Sequence, residues 1–279
     1  VRILVAGGAG FIGLHLCKVL VSQGHQVTCL DNYLTSYRKN LSHIPANQNI
    51  TFLAHDICRP LGDHAYDLAF HLASPAIPAQ CERLSIETMS SNIVGAQNLL
   101  ELGVPLIFVS SIRVLDEASK EIYVMAKRGA ELLCEEYAKR GSSVQIVRFF
   151  NVFGDQMRRD DSRVVPQFIQ RALRGEPLMI YQGGMQREVL LHVDDAVVAL
   201  LQVKPGNPTI NVGGTTITIR NLAEMIIRLT DSQSQICDMA SDRKHADKAL
   251  WPMDDLPGWK PASLEVGLLR TIKYFRSLT

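Results

Sequence analysis

The start of the chain limits the fold most. An apolar run, Val1–Ala6, leads into Gly7-Gly8-Ala9-Gly10-Phe11-Ile12-Gly13, and a helix-length amphipathic stretch, Phe11–Gln23, follows. A strand, a glycine-rich turn and a helix in that order form the opening of a mononucleotide-binding βαβ unit. Gly7 permits the tight turn, Gly10 lets the backbone approach a pyrophosphate, and Gly13 allows the helix to pack closely on the sheet. The helix N-terminus presents its positive end to the phosphates. A second strand, Gln26–Leu30, is followed by Asp31, 18 residues beyond Gly13, where a carboxylate can accept hydrogen bonds from both adenosine ribose hydroxyls. Asn32 comes next rather than an arginine, so nothing local welcomes a 2′-phosphate. These residues predict NAD as the cofactor in preference to NADP.

The alternation continues. Ile50–Ala54, Asp67–His71, Pro105–Ser110 and Val144–Phe150 read as strands, and the stretches from Arg83 to Leu102 and from Glu121 to Lys139 as helices. On the first of these helices Ile86, Met89, Ile93, Ala96 and Leu100 share one face. The pattern predicts an α/β fold with a doubly wound parallel sheet of Rossmann type. The second half is less regular, with turns at Gly175-Glu176-Pro177, Gly183-Gly184 and Gly213-Gly214. No repeat or low-complexity linker occurs. A chain of 279 residues is near the upper limit for one core, so one large unit with a smaller C-terminal substrate lobe is expected.

Charge excludes several functions. Lys plus Arg number 29 against 28 Asp plus Glu, with no long basic run, which argues against nucleic-acid or membrane-surface partners. No stretch approaches about 18 uninterrupted apolar residues, and Val1–Ala6 reads as a strand rather than a signal peptide. The six cysteines show no C-x-x-C spacing and are expected as reduced thiols in a cytoplasmic protein. No histidine spacing suggests a metal site, and none is expected. His71, ending an apolar strand, reads as a satisfied core histidine rather than a base. Lys204-Pro205-Gly206 and Arg243-Lys244 read as solvated surface.

Tyr123 and Lys127 form Y-x-x-x-K, one helical turn apart on one face. A neighbouring ammonium favours the phenolate, and a tyrosine so poised can take the proton of an alcohol while its hydride leaves. Ser111, at the end of the strand before that helix, can hydrogen-bond the same substrate oxygen. Ser111, Tyr123 and Lys127 are therefore the candidate catalytic residues.

These features, with His71-Leu72-Ala73-Ser74-Pro75-Ala76-Ile77-Pro78, Lys127-Arg128-Gly129-Ala130-Glu131, Arg148-Phe149-Phe150-Asn151-Val152-Phe153-Gly154 and Ser162-Arg163-Val164-Val165-Pro166-Gln167-Phe168-Ile169, resemble the extended short-chain dehydrogenase/reductase superfamily. Within it the chain is most similar to the UDP-glucuronate decarboxylase (UDP-xylose synthase) family, over nearly its full length. The resemblance implies a Rossmann domain of residues 1–151 plus about 186–212, and a nucleotide-sugar lobe of about 152–185 and 213–279. It implies NAD held by Gly7, Gly10, Phe11, Ile12, Gly13, Asp31, Asn32, Thr35, Asp56, Ile57, Leu72, Ala73 and Ser74. Asn92, Ser110, Tyr123, Lys127, Val152 and Arg163 complete that set. A UDP-sugar substrate would be held by Ser111, Asn151, Val165, Pro166, Phe168, Tyr181 and Arg187, and Arg187, near the sugar phosphates and carboxylate, is implied as a further catalytic residue. A homodimer through the two long helices is a further implication.

The chain departs from that pattern after Ser111. Ile112 and Arg113 replace a family Ser-Glu, and only the 11 residues 112–122 separate Ser111 from Tyr123, where relatives carry a longer segment. Hexose dehydratases need an Asp-Glu pair at this place, so water elimination is disfavoured. The implied chemistry is C4 oxidation, loss of carbon dioxide from the β-keto acid, and formation of UDP-4-ketopentose or UDP-xylose. An Arg113 bound to the substrate carboxylate would stabilise a charge that vanishes in the reaction; about 1.5–3 kcal/mol held that way slows the step roughly tenfold to over a hundredfold. Either Arg113 turns away from the carboxylate, or the enzyme is a UDP-glucuronate 4-epimerase. A non-catalytic NAD-binding sensor or scaffold is the remaining alternative.

Overall fold

The computed structural model describes residues 1–44, 49–62, 65–206, 209–240 and 250–278; Arg243 and Lys244 lie outside them. Twelve strands and eight α-helices occur among the described residues. The strands are β1 (Arg2–Ala6), β2 (Gln26–Asp31), β3 (Ile50–Ala54), β4 (Leu68–His71), β5 (Leu106–Ser111), β6 (Val144–Phe149), β7 (Asn151–Phe153), β8 (Leu178–Tyr181), β9 (Arg187–His192), β10 (Ile210–Val212), β11 (Thr215–Thr218) and β12 (Ile236–Met239). The helices are α1 (Phe11–Ser22), α2 (Pro78–Arg83), α3 (Ser85–Leu100), α4 (Ile122–Lys139), α5 (Val164–Leu173), α6 (Val193–Gln202), α7 (Ile219–Thr230) and α8 (Leu264–Arg276). Two compact units result, Val1–Phe149 with Val197–Ile210, and Phe150–Ala196 with Asn211–Thr279. The stretch expected as one piece, 186–212, is divided between them after Ala196.

The first unit is built on strands in the order β3-β2-β1-β4-β5-β6. The pairs β2/β3, β1/β2, β1/β4, β4/β5 and β5/β6 are all parallel. Central strands of such a sheet are covered on both faces, which is why β1 and β5 read as unbroken apolar runs rather than alternating ones. The chain leaves β1 for β2 on one side and returns to β4 on the other, so the ends of β1 and β4 flank the switch point at which ligands bind in this architecture. Helix α1 buries Leu14, Cys17, Leu20 and Val21 at helical spacing.

The helix expected from Arg83 to Leu102 is α3, and a short helix that the residue pattern does not predict, α2, comes just before it. Leu84, at φ −113° and ψ 47°, ends α2 and precedes α3. The inward face also differs from the apolar periodicity. Ala96 and Leu100 are buried as expected, but Ile86 is 75% exposed, and Thr88 and Asn92 turn inward. The Asn92 amide nitrogen donates to Thr88 O (2.7 Å) and Ser74 Oγ (2.8 Å), so hydrogen bonding rather than apolar contact sets the rotation of α3.

In the second unit β9 pairs antiparallel with β11 and parallel with β7. A separate two-stranded parallel sheet joins β8 to β12. Helix α7 buries Ile219, Leu222, Ala223, Ile226 and Thr230, and the Thr218 hydroxyl caps its start by accepting Asn221 N–H at 3.2 Å. Among the described residues no helix is long and apolar enough to cross a membrane.

Helix α4 is fastened to β6 by a buried ion pair. Arg148 Nε reaches the two Glu131 carboxylate oxygens at 2.9 and 3.1 Å, and Nη2 reaches Oε2 at 2.5 Å. The Glu131 side chain is 5% exposed, so removing its partner strands a charge in the core. Arg148→Met is expected to cost about 3 kcal/mol of stability. Adding Glu131→Leu should recover only part of that loss, as read from urea midpoints of the three proteins, because the carboxylate also balances the buried Lys127 ammonium.

Candidate active site

The glycine turn is held by close packing that only glycine allows. Gly7 adopts φ +80°, and a Cβ there would meet Ala73 N, just past the end of β4, at 2.6 Å. A Cβ on Gly13 would meet Gly7 O at 2.2 Å. Gly7 and Gly10 line a cleft of about 360 Å³ at the carboxyl ends of β1, β2 and β4, with Asp31, Asn32, Thr35, Asp56, Ile57, Leu72, Ala73 and Ser74 among its other walls. Ten of the residues expected to hold NAD thus share one cavity, and its glycine floor and acidic wall fit an adenosine diphosphate moiety. Phe11 and Ile12 open α1, and Gly13 is buried within it.

Asp31 is held by more donors than the sequence suggests. Its Oδ1 accepts Tyr33 N–H (2.8 Å) and the Ser36 hydroxyl (2.8 Å), and its Oδ2 accepts Ala9 N–H (3.0 Å). Burial nonetheless raises its pKa above the ordinary carboxylate value, against the pull of these bonds. The carboxylate therefore also ties the glycine turn to the loop after β2. Asn32 Oδ1 accepts Leu34 N–H at 3.1 Å, and Asp56 Oδ1 accepts Cys58 N–H at 3.0 Å, each closing a local turn. Ser36, His55, Ile86, Glu87, Ser90 and Ser91 also line the cleft. No local motif marks them, because they arrive from the loop after β2, the loop after β3 and the first turns of α3.

A second cluster lies around α4 and the end of β5. Lys127 is 3% exposed, and its ammonium donates to Val109 O at 2.7 Å. The ammonium sits 4.9 Å from the Phe108 ring centroid and 6.0 Å from that of Tyr123. Burial pulls its pKa down to about 8, with Glu131 opposing. The structure brings Tyr123 and Lys127 together as the i, i+4 spacing predicts. His71 is fully buried, edge-on to Phe108 at 5.4 Å. Burial first, and Lys127 second, hold its pKa at about 3, so it stays neutral. It is a core histidine as expected, with the backbone of Asn92 and Ser91 beside its ring, while the buried Ser110 hydroxyl has no hydrogen-bond partner among the described residues.

Ser111 ends β5 and caps a 3-10 turn, Ile112–Leu115, its Oγ accepting Arg113 N–H at 3.3 Å. The short segment to α4 is strapped down. Arg128 donates to Val114 O (2.9 Å), Ser119 O (3.2 Å) and Asp116 O. The Arg113 guanidinium forms an ion pair with Glu121, the residue just before α4.

The second unit holds the remaining expected residues. Asn151 opens β7 and donates to the Glu188 carboxylate, while Val152 is buried. Arg163 precedes α5 and grips the buried Asp161, Nη2 to Oδ2 at 2.6 Å. Val165, Pro166 and Phe168 point into the core of this unit, whereas Tyr181 and Arg187 are exposed at the ends of β8 and β9.

The chain is similar to curated enzymes over almost its whole length. It is 34% identical to UDP-glucuronic acid decarboxylase 1 of Danio rerio over 303 aligned residues, covering 98% of this chain and 72% of the relative. It is 32% identical to UDP-glucuronic acid decarboxylase 2 of Arabidopsis thaliana, covering 99% of this chain and 68% of that one. Among solved structures, UDP-glucose 4-epimerase of Thermotoga maritima, crystallised with UDP-glucose, superposes with a TM-score of 0.86 at 28% identity, covering 100% of this chain and 99% of that one. The model of the NAD dependent epimerase/dehydratase family matches residues 3–213. With its glycine turn, its Asp31 and its Tyr123–Lys127 pair in one parallel-sheet unit, this chain belongs to that NAD-dependent family.

Proposed function

We propose that the chain is an NAD-dependent decarboxylase of UDP-glucuronate. The observation that carries the reading is the buried Lys127 ammonium beside the Tyr123 ring, next to a strand that ends in Ser111. Tyr123 takes the proton of the C4 hydroxyl, and Lys127 stabilises the phenolate that does so. Bound NAD⁺ supplies the hydride acceptor for C4. The substrate is then a ketone β to its C6 carboxylate, and carbon dioxide leaves as the electrons move to the C4 oxygen. Ser111 and the protonated Tyr123 hydrogen-bond that oxygen as charge grows on it. Protonation at C5 and reduction at C4 give UDP-xylose; release before reduction gives UDP-4-ketopentose.

Arg113 favours decarboxylation over C4 epimerisation. Its guanidinium is committed to Glu121, so it does not hold the substrate in its carboxylate form. The two decarboxylases that match at 34% and 32% identity support the same substrate. Asn151, Val165, Pro166, Phe168, Tyr181 and Arg187 are assigned to the nucleotide sugar by resemblance. The cytoplasmic setting in this proposal rests on six free thiols. The homodimer rests on the outward faces of α3 and α4, where Val94 (38%), Met125 (44%) and Leu132 (63%) are exposed.

Incubation with UDP-glucuronate should release carbon dioxide and give products of the UDP-pentose and UDP-4-ketopentose masses. An isomer of unchanged mass with no gas released would establish epimerisation instead. Tyr123→Phe should lower turnover by roughly 100-fold or more while leaving NAD⁺ affinity nearly intact, since the ring still packs but accepts no proton. Turnover within tenfold of the parent would remove Tyr123 as the base. Light scattering should report twice the chain mass, and Leu132→Glu should shift the species toward the monomer.

A further inference from the structure

The turn between β8 and β9 carries three left-handed residues in succession: Gln182, Gly183 and Gly184, at φ +52°, +70° and +67°. Left-handed backbone is disfavoured for a residue with a Cβ, and Gln182 adopts it beside the two glycines. Such a conformation persists only where its surroundings hold it, and it gathers where ligands are clamped. Here the surroundings are two opposite charges on one residue. The Asp238 carboxylate, on β12, accepts the Gly183 N–H at 2.9 Å from Oδ2 and 3.2 Å from Oδ1. From the first turn of α7, Arg220 Nε donates to Gly183 O at 2.8 Å. A Cβ on Gly184 would meet Arg220 N at 2.9 Å, so the turn lies directly on the start of α7, where Ile219 N–H donates to Gln186 O at 3.1 Å. We propose that Arg220 and Asp238 are positioning residues for the nucleotide sugar: by gripping Gly183 from both sides they set the spacing of Tyr181 and Arg187. This deepens, and rests on, the assignment of those two residues to a UDP-sugar.

Neither charge is placed where it would serve the fold. A cation in the first turn of a helix faces the positive end of the dipole, and Arg220 is the second residue of α7. Asp238 is exposed, where a charged contact adds little to global stability. What the two fix is local. Tyr181 ends β8 and Arg187 opens β9, both exposed, with only the turn between them. The strand that carries Asp238 also flanks the tyrosine, since Met239 is the register partner of Tyr181. A turn ordered in advance spares a ligand the cost of ordering it on binding. Residues that hold the substrate and the transition state alike change KM and leave kcat in place. The clamp therefore acts on affinity for the nucleotide sugar rather than on the chemical step.

The test measures UDP affinity by calorimetry on NAD⁺-saturated protein, with KM and kcat for UDP-glucuronate beside it. Arg220→Met keeps the length of the side chain but donates nothing; it should raise both the Kd for UDP and KM roughly tenfold, with kcat within about twofold of the parent. Asp238→Ala should weaken UDP in the same sense. Asp238→Asn still accepts the Gly183 N–H through its amide oxygen and should restore most of the affinity. The double variant should bind UDP about as weakly as Arg220→Met alone, because both residues act through one peptide group. NAD⁺ affinity and the melting temperature should stay at the parent's values in all of them. Variants that bind UDP as tightly as a UDP-binding parent would overturn the proposal and leave the substrate reading intact. A joint fall in kcat, NAD⁺ affinity and melting temperature would also overturn it, by making the clamp a part of the general fold. A parent that does not bind UDP would overturn the nucleotide-sugar assignment itself, and this proposal with it.

Discussion

A lysine with almost no exposed surface is the constraint around which the first unit is arranged. Taking an ammonium out of water costs several kcal/mol unless it is hydrogen-bonded and electrostatically matched. Lys127 meets that demand with Val109 O, the face of Phe108 and the nearby Glu131. Each of these ties it to another element. Val109 and Phe108 belong to β5, and Glu131 is bound to Arg148 of β6. Helix α4 is thereby held against the sheet at a fixed height, and Tyr123 is carried with it. The site inherits its geometry from the solution to a solvation problem.

The short stretch after β5 solves a second problem with few residues. A longer segment can cover a sugar; this one is shaped mainly by a single side chain, Arg128, that collects backbone carbonyls. Arg128 spends most of its donors on the fold and Arg113 is committed to an acid of the same unit. Neither guanidinium is therefore spent on holding the substrate in its charged ground state. Where a substrate must lose a carboxylate, such restraint favours the forward reaction.

Much of this was legible in the residues, and the misses have common causes. The strand–glycine–helix opening, the acid that ends β2 and the tyrosine–lysine spacing depend on local backbone chemistry, and they stand where the periodicity puts them. The six-residue helix α2, which ends at Arg83 just before Leu84, is too short to show an apolar period and has no signal of its own in the sequence. Thr88 and Asn92 turn inward because hydrogen bonds within α3 and to Ser74 outweigh apolar pattern, a preference that periodicity does not carry. Ser36 at Asp31 and the α3 residues of the cleft are brought in by tertiary packing, with no signal of their own.

His71 and Lys127 together couple folding to proton release. In the unfolded chain the imidazole titrates near 6.5; in the fold, near 3. The ammonium moves from 10.5 to about 8. In both windows the unfolded chain holds the extra proton, so the folded state gains stability as pH rises from 3 to 6.5 and again from 8 to 10.5. Acid therefore works against the first unit from inside its own core. The same burial that keeps His71 silent during catalysis makes it a latent point of acid lability.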